Sequence, residues 1–280
     1  MTEIAARKLG LGTVQFGLPY GVSNTRGQVS RAEAAAILAL AAKAGIATLD
    51  TAAGYGTAEE VLEELDTTAF RIITKTISAK GGVDAVVARA RQSAARLKAD
   101  TLLVHAAKDL EDAALWPALR RLKEEGLYRR IGVSVYVADD PAALAARFRP
   151  DVMQLPFSIL DQRLLMDGTL ARLNDMGVEV HARSLFLQGL LFLEALPAKL
   201  RHVAPRLAAI RQTIMAAGST PLAAALGFAL SRPEIATALV GVTSAGELQE
   251  VLDAASRPLP GLDWDAMALD DEMVLTPSLW

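Results

Sequence analysis

Short apolar segments alternate with longer amphipathic segments from one end of the chain to the other. The short segments, such as IATLD (46–50) and IATALVGV (235–242), are apolar on both faces and rich in Ile, Leu and Val. This pattern is typical of parallel strands that are covered on both sides. The longer segments carry apolar residues at helical spacing; the first runs from Arg31 to Ala44, between the N-cap residue Ser30 and the stop signal Gly45. The pattern therefore predicts alternating strands and helices.

The alternation divides into eight β/α steps, the number that closes a (β/α)8 TIM barrel. We predict strands at 9–16, 46–50, 71–75, 100–105, 131–135, 151–155, 178–183 and 235–242. Predicted helices cover 31–44, 58–64, 83–97, 116–125, 141–148, 168–176, 205–217 and 245–255, with a further one beginning at Pro221. An open doubly wound sheet is the alternative arrangement. It is disfavoured because the sequence has no GxGxxG after the first strand and no Pro-, Gly- or Ser-rich linker, so residues 1–280 are predicted to form a single barrel domain with an additional C-terminal helix and tail.

The charge balance argues against nucleic acid or an anionic membrane as a partner. The 280 residues include 29 basic and 32 acidic side chains, for a net charge of −3. Hydrophobic residues make up 52% and charged residues 22%, which excludes disordered and fibrous classes. The absence of cysteine from the sequence excludes disulfides, thiol nucleophiles and thiolate metal sites.

The longest uncharged segment, between Arg211 and Arg232, has enough residues to span a membrane. Residues 218–220 interrupt it, and Pro221 suits the first position of a new helix, so two helices joined by a turn are predicted. Residues 1–8 are polar and lack the apolar core of a signal peptide. We therefore expect a cytoplasmic protein with no membrane partner.

Four polar side chains fall at the ends of three consecutive predicted strands. Asp50, Lys75 and His105 end the second, third and fourth strands, and Tyr55 follows Asp50 in a turn between two glycines, DTAAGYG. The carboxyl ends of barrel strands are where active sites of this fold lie. Taken singly, these residues can also be a helix cap, a solvent-facing strand end, a core histidine and a rim aromatic. Their joint occurrence favours one shared site.

The segments LGLGTVQFG (9–17), DTAAGYGTAEEVL (50–62), IITK, LLVH and GVTSAGELQEVL (241–252) together resemble the aldo-keto reductase superfamily. The resemblance covers essentially the whole chain. It implies a (β/α)8 barrel that binds a nicotinamide cofactor, NADPH or alternatively NADH, without a Rossmann fold. It also implies that Asp50, Tyr55, Lys75 and His105 form a catalytic tetrad that reduces an aldehyde or ketone, or oxidises the corresponding alcohol or sugar.

The chemistry of carbonyl reduction explains why these four residue types belong together. Hydride transfer places negative charge on oxygen, which an acid must neutralise. A free phenol, with a pKa near 10, is a weak acid at neutral pH. The ammonium of Lys75 next to Tyr55 favours the ionised phenol, and Asp50 keeps that ammonium charged and in place. His105 is expected to donate a hydrogen bond that orients the substrate oxygen.

The resemblance also implies cofactor-binding residues around the barrel mouth. They are Gly12, Thr13, Ser134, Gln154, Arg183, Ser184, Phe186, Gln188, Gly241, Thr243, Ser244 and Glu247. Ser134 and Gln154 match positions that bind the nicotinamide carboxamide. Arg183 stands where the family commonly has a tyrosine that stacks on the nicotinamide ring, and a guanidinium plane can also stack. Ser184, Phe186 and Gln188 follow on the pyrophosphate loop.

Three departures from the family pattern affect the cofactor. Val135 stands where an asparagine often follows Ser134, and Val251 where an asparagine often contacts adenine. Thr243 replaces a basic residue that commonly binds the 2′-phosphate, so we expect weaker discrimination in favour of NADPH. The helix after Ser244 is expected to offer its N-terminal amides to a phosphate.

The remaining candidates are interpreted as structural. His181 and His202 have no partners at metal-ligand spacing, and no metal site is predicted. Trp264 and Trp280 lie in the tail, which either covers the substrate mouth or is a plain terminus. The segment GLPYGVSN (17–24) is expected to form a wall of the substrate pocket.

Two other functions stay open from the sequence. One is a lyase or aldolase that forms a Schiff base on Lys75. The other is a non-catalytic redox sensor that binds the nicotinamide cofactor and signals through a partner. The sequence does not favour any one substrate, reaction direction or oligomeric state.

Overall fold

Eight parallel strands form a closed barrel in chain order in the computed structural model, which describes residues 8–21, 24–193 and 195–280. The strands are β1 Leu9–Gly12, β2 Thr48–Asp50, β3 Arg71–Lys75, β4 Thr101–Val104, β5 Arg130–Ser134, β6 Val152–Pro156, β7 Glu179–Arg183 and β8 Ile235–Gly241. β8 pairs with β1, with Leu9 opposite Ala238 and Gly12 opposite Gly241, and this pairing closes the barrel. The predicted (β/α)8 architecture is confirmed.

The helices surround the barrel, and every strand is followed along the chain by at least one helix. They are α1 Arg31–Ala44, α2 Ala58–Glu64, α3 Val83–Leu97, α4 Leu115–Glu124, α5 Pro141–Phe148, α6 Thr169–Asp175, α7 Ala204–Ala216, α8 Pro221–Ser231 and α9 Ala245–Ala255. Single helical turns lie at Val14–Gly17, Arg163–Met166 and Glu272–Leu275. The β7–β8 connection holds both α7 and α8. The predicted caps are present: Ser30 Oγ accepts the amide of Glu33, and Gly45 ends α1 with a φ of 84°.

The strand predicted over residues 9–16 is longer than the strand in the structure. β1 ends at Gly12, and Val14–Gly17 forms a helical turn in which Phe16 and Gly17 are buried. The apolar run continues past the barrel rim because these residues pack against the next β/α connection, and a short apolar run does not distinguish a strand from a buried helix. Residues 1–7 of the polar N-terminal segment and residues 22–23 of the loop at 17–24 lie outside the described residues.

The long uncharged segment forms two helices, as predicted. In the described ranges, no single helix is long and apolar enough to cross a membrane, and the Ala198–Ala216 and Pro221–Ser231 segments, which pass that test only together, bend by 83° at the break between them. Pro221 occupies the first turn of α8, and the Thr220 side chain accepts the amide of Ala223.

The barrel interior separates two polar ends by an apolar layer. Ile73, Leu103 and Val152 form a buried cluster in its middle. Successive residues of a strand point to opposite faces. Lys75 lies two residues after Ile73 on β3, and Gln154 lies two residues after Val152 on β6, so both also point into the barrel. The strand register therefore brings the polar ends of β2, β3 and β6 to one mouth of the barrel.

Candidate active site

Lys75 is the centre of the polar cluster at the carboxyl ends of the strands. Its Nζ atom donates hydrogen bonds to Asp50 Oδ2 at 2.6 Å, to the Thr51 carbonyl at 2.9 Å and to the Tyr55 hydroxyl at 3.3 Å. The other carboxylate oxygen of Asp50 accepts a hydrogen bond from Gln154 Nε2 at 2.7 Å. Each proton of the ammonium group thus has a partner, and the third of these partners is the phenol.

The Lys75 ammonium is buried yet stays charged. Its side chain is 1% exposed, and that of Asp50 is 6% exposed. Burial by itself lowers the pKa of Lys75, but the Asp50 carboxylate and the Tyr55 oxygen outweigh it, so the pKa of Lys75 is raised above its usual value. The interpretation of Lys75 as a solvent-facing strand end is therefore wrong.

Tyr55 is positioned by two glycines that let neighbouring connections touch. A Cβ atom on Gly17 would lie 1.8 Å from the Tyr55 carbonyl oxygen, and one on Gly56 would lie 2.3 Å from the Gly17 carbonyl oxygen. Gly56 also has a φ of 54°, in the left-handed region that favours glycine. The loop after β1 therefore supports the turn that aims Tyr55 at Lys75.

His105 lies beside Tyr55 and is neutral at physiological pH. The two rings make an edge contact, with centroids 5.7 Å apart and an interplanar angle of 80°. Burial and the nearby Lys75 charge lower the pKa of His105 to about 4. A neutral imidazole donates one hydrogen bond and accepts another, which suits the expected role of orienting a substrate oxygen.

A cavity of about 760 Å³ opens over this cluster and extends to the first turns of α9. All four predicted tetrad residues line it. So do most of the predicted cofactor residues: Gly12, Ser134, Gln154, Arg183, Ser184, Phe186, Gln188, Gly241, Thr243 and Glu247. The structure thus brings together residues from the ends of all eight strands, and also places Tyr20, Gly21 and Asn24 of the expected substrate-loop segment on the wall.

Two predicted cofactor residues do not line the cavity. Thr13 is fully buried, and its hydroxyl donates to the Asp50 carbonyl at 3.1 Å. Ser244 is buried and caps α9 by accepting the Glu247 amide at 3.1 Å. Both residues hold backbone in place, because their hydroxyls are used within the protein.

The amides expected to bind a phosphate at the start of α9 are also largely in use. Glu33 Oε1 accepts the Ala245 amide at 2.7 Å, and Ser244 accepts that of Glu247. The expected phosphate contact at this helix terminus stays a prediction, and two of its amides already have partners within the protein. A carboxylate already occupies the place of the anion.

The C-terminal tail packs on the outside of the barrel. The Trp264 ring lies 5.2 Å from that of Phe228 on α8, and the Trp264 carbonyl accepts Gln162 Nε2 at 2.6 Å. Trp280 donates to the Met273 carbonyl at 2.9 Å. Neither tryptophan lines the cavity, and no other described residue of the tail does so.

Arg183 lies flat at the end of β7, beside the tetrad. Its guanidinium carbon is 4.3 Å from the centroid of the Tyr136 ring, and its Nη2 atom donates to the Val135 carbonyl at 2.9 Å. The loop that follows is held in an unusual conformation, with φ values of 61° at Ser184 and 53° at Gln188. Such backbone strain in non-glycine residues clusters at functional sites.

Sequence reasoning missed several residues of the cavity wall, among them Gln15, Tyr136 and Glu250. Gln15 and Tyr136 lie just beyond strand ends, and Glu250 lies on α9. Gln15 Oε1 is buried without a hydrogen-bond partner in the described part of the chain, and its side chain lies against Gly241. Gln15 was missed because residues 9–16 were predicted to be one strand. In the structure Gln15 lies in a helical turn, which directs its side chain toward β8.

The comparisons with known proteins agree with the geometry. The model of the aldo/keto reductase family matches residues 8–268. The L-galactose dehydrogenase of Arabidopsis thaliana is 28% identical over 311 residues, covering 99% of this chain and 96% of the relative. The holo form of an aldo-keto reductase from Bacillus halodurans is similar in structure, with a TM-score of 0.74, 21% identity, and 93% and 89% of the two chains covered.

A second structure, described as a putative aldo-keto reductase from Pseudomonas aeruginosa, has a TM-score of 0.66 and 24% identity, with 89% of each chain covered. At these identities the structural likenesses bear on the fold alone. The family model matches nearly the whole length, and the chain therefore belongs to the aldo/keto reductase family.

Proposed function

We propose that this protein reduces an aldehyde or ketone with a nicotinamide dinucleotide, or oxidises the corresponding alcohol, and that Tyr55 is its general acid and base. The observation that carries the proposal is the position of Lys75 Nζ, which bonds Asp50 at 2.6 Å and the Tyr55 hydroxyl at 3.3 Å at the base of the cavity. The coarser conclusion, an oxidoreductase of this family, already follows from the comparisons.

In the reduction, the substrate carbon gains a hydride and the substrate oxygen gains the proton of the Tyr55 hydroxyl. The reduced nicotinamide, when bound, supplies the hydride. Tyr55 is left as a phenolate, which the Lys75 ammonium stabilises until a proton returns from water. His105, neutral in this site, holds the substrate oxygen toward Tyr55. In the oxidation direction the same phenolate takes the alcohol proton.

The cavity fits an extended dinucleotide. It runs from the tetrad to α9 and crosses the paired strand ends at Gly12 and Gly241, which lack side chains. Against Gly241 lies Gln15, whose Oε1 is a buried acceptor without a partner among the described residues. Ser134 and Gln154 lie at the tetrad end, where they would contact the carboxamide, and Ser184, Phe186 and Gln188 lie where the pyrophosphate would cross.

The alternative use of Lys75, as a Schiff-base nucleophile, is opposed by its surroundings. A nucleophilic amine must be neutral, whereas Asp50 and Tyr55 raise the pKa of this ammonium. All its hydrogen bonds are already directed at protein atoms.

Substrate selection is best begun with small polyhydroxylated aldehydes and their alcohols, in line with the L-galactose dehydrogenase relative. The proposal includes a cytoplasmic enzyme whose partners are small molecules, with no nucleic acid or membrane.

The test compares turnover with cofactor binding in two single variants and one double variant. Tyr55→Phe should bind the cofactor like the wild type but lose carbonyl reduction by orders of magnitude. Lys75→Met should lower the rate by up to about a thousandfold, because one charge at about 4 Å in a medium of dielectric about 20 is worth about 4 kcal/mol. The double variant Asp50→Asn/Lys75→Met removes the unpaired buried charge and should recover stability without recovering the rate.

Normal reduction by Tyr55→Phe would remove the tyrosine from the mechanism. Binding of a cofactor by the wild type with no turnover on any carbonyl or alcohol would favour the redox sensor instead.

A further inference from the structure

The end of the cavity farthest from the tetrad is acidic. There the wall consists of the β8–α9 connection and α9, with Thr243, Glu247 and Glu250 as its polar side chains. The basic residues of the described cavity wall belong to other elements: Lys75 and Arg183 to the strand ends, and Arg26 to the loop after β1. Because the reacting ring must lie at the tetrad, this acidic end receives the adenosine half of the dinucleotide.

Glu247 is held in a fixed position in this wall. Its Oε2 atom accepts the Thr243 amide at 2.6 Å, and its Oε1 atom accepts the Thr243 hydroxyl at 2.7 Å. Its own amide donates to Ser244 at 3.1 Å. The carboxylate is thus positioned by two hydrogen bonds, one to each of its oxygens, and has little freedom to turn away from an incoming anion.

A second carboxylate closes the same helix terminus. Glu33, from α1, accepts the Ala245 amide at 2.7 Å. The partial positive charge of the helix start is therefore already used by the protein. Among the described residues, the cavity-lining part of the β8–α9 connection and α9 carries no basic side chain, and two of the first-turn amides are already in use.

We propose that this enzyme uses NAD(H) in preference to NADP(H), with Glu247 as the specificity-determining residue; the proposal rests on the proposed function. A 2′-phosphate carries a charge of about −1.5 to −2 at neutral pH and is repelled by these carboxylates. A ribose that keeps its 2′-hydroxyl can instead donate a hydrogen bond to a carboxylate, the same device by which other dinucleotide sites select NAD. The selection is thus both repulsive and attractive.

The experiment measures equilibrium binding, independently of turnover. NADH and NADPH are titrated by fluorescence, and ADP-ribose and its 2′-phosphorylated counterpart by calorimetry, since the last pair lacks the nicotinamide. In the wild type, each ligand without the 2′-phosphate should bind at least about tenfold more tightly than its phosphorylated partner.

Three variants test the assignment. Glu247→Gln keeps an acceptor for Thr243 but removes the charge, and should improve binding of the phosphorylated ligands about five- to tenfold. Thr243→Arg should shift the preference further in the same direction. Asp253→Asn removes one charge from the exposed side of α9, outside the cavity wall, and should leave the ratio of affinities unchanged.

The outcomes separate the two proposals. If the wild type binds the phosphorylated ligands equally well or better, or if folded Glu247→Gln keeps the wild-type ratio, the cofactor inference is wrong and the proposed function stands. If none of the four ligands binds, the proposed function fails and the inference fails with it.

Discussion

Lys75 shows how a single buried charge defines the chemistry available to this site. Its ammonium is shared between a carboxylate, a carbonyl and a phenol, so it stays protonated and its charge acts on Tyr55. The same charge acts on His105, where it adds to burial in disfavouring a second cation. The site therefore combines a permanent cation with a neutral imidazole.

His105 should titrate well below the usual range of a histidine. Its pKa is lowered to about 4 in the folded protein. Above about pH 6.5 the imidazole is neutral in both the folded and the unfolded state, and its contribution to stability is fully present. As the pH falls toward 4, the unfolded state takes up the proton first, and this contribution is progressively lost. We expect its imidazole NMR signals to stay constant between pH 5.5 and 8. In Lys75→Met the pKa of His105 should rise, because the Lys75 charge is one of the two main causes that lower it. A wild-type His105 signal that titrates near pH 6.5 would contradict this account.

Arg183 should contribute to cofactor affinity through its flat guanidinium, which already stacks on Tyr136. Arg183→Ala should weaken cofactor binding about three- to thirtyfold, the range expected for one partly desolvated stacking contact. Arg183→Tyr should restore much of the loss, because an aromatic face refills the position. Arg232 makes the same 4.3 Å stack on Phe228 away from the cavity, so Arg232→Ala is the control and should bind cofactor normally. An Arg183→Ala variant with wild-type affinity would make this arginine structural.

The sequence pointed to the candidate residues that lie at a strand end. Asp50, Lys75 and His105 were found because each follows a recognisable apolar run, and the structure brings them together. Gln15 and Tyr136 were missed because their positions depend on how the chain turns after the strand. The functions of Thr13 and Ser244 could not be distinguished from ligand binding, since a hydroxyl that caps a backbone amide looks the same in sequence.

At the scale of the elements, the first two β/α connections act as one unit. The helical turn at Val14–Gly17 packs against the start of α2, and the Val29 amide returns to the Gln15 carbonyl at 2.8 Å. Gly17 is the contact point, since its Cα lies directly against the backbone around Tyr55. The position of the proposed acid thus depends on a residue from a different connection.

Gly17→Ala should disturb catalysis without touching the substrate. The new Cβ would lie 1.8 Å from the Tyr55 carbonyl oxygen and 2.5 Å from the Ala58 amide, so the Tyr55 turn must move. We expect a cost of about 1–3 kcal/mol in stability and a fall in kcat at nearly unchanged cofactor affinity. Gly261→Ala, where nothing lies within 4 Å of the added atom, is the matched control. Wild-type kcat in Gly17→Ala would show that the connection tolerates the shift.

At the scale of the whole molecule, the two polar ends of the barrel serve different purposes. The mouth carries the cavity, whereas the opposite end is closed by an ion network in which Arg130 bonds Glu179 at 2.8 Å and Asp100 at 2.9 Å. His181 is fully buried above it and bonds Glu179 at 2.7 Å, which agrees with its interpretation as a structural histidine. The closed end therefore supports stability, as expected for the base of such a barrel.

Glu179 should make the barrel base sensitive to acid. Its hydrogen bond with His181 and the charge of Arg130 outweigh burial and lower its pKa to about 2. A carboxylate with a lowered pKa stabilises the folded state above the unfolded value of about 4.5, and this contribution is lost as the pH falls toward 2. Because the side chain is 31% exposed, we expect Glu179→Gln to cost about 2–3 kcal/mol at pH 7, less than for a fully buried pair. In urea unfolding, the difference in unfolding free energy between wild type and variant should shrink by about half between pH 6 and pH 3.

Glu125→Gln is the control, because it removes an exposed ion pair with Arg91. The side chains of Glu125 and Arg91 are 44% and 47% exposed, and this variant should show no such convergence with the wild type. A gap for Glu179→Gln that stays constant over this range would mean that the carboxylate is held by packing alone and that the ion network does not stabilise the closed end.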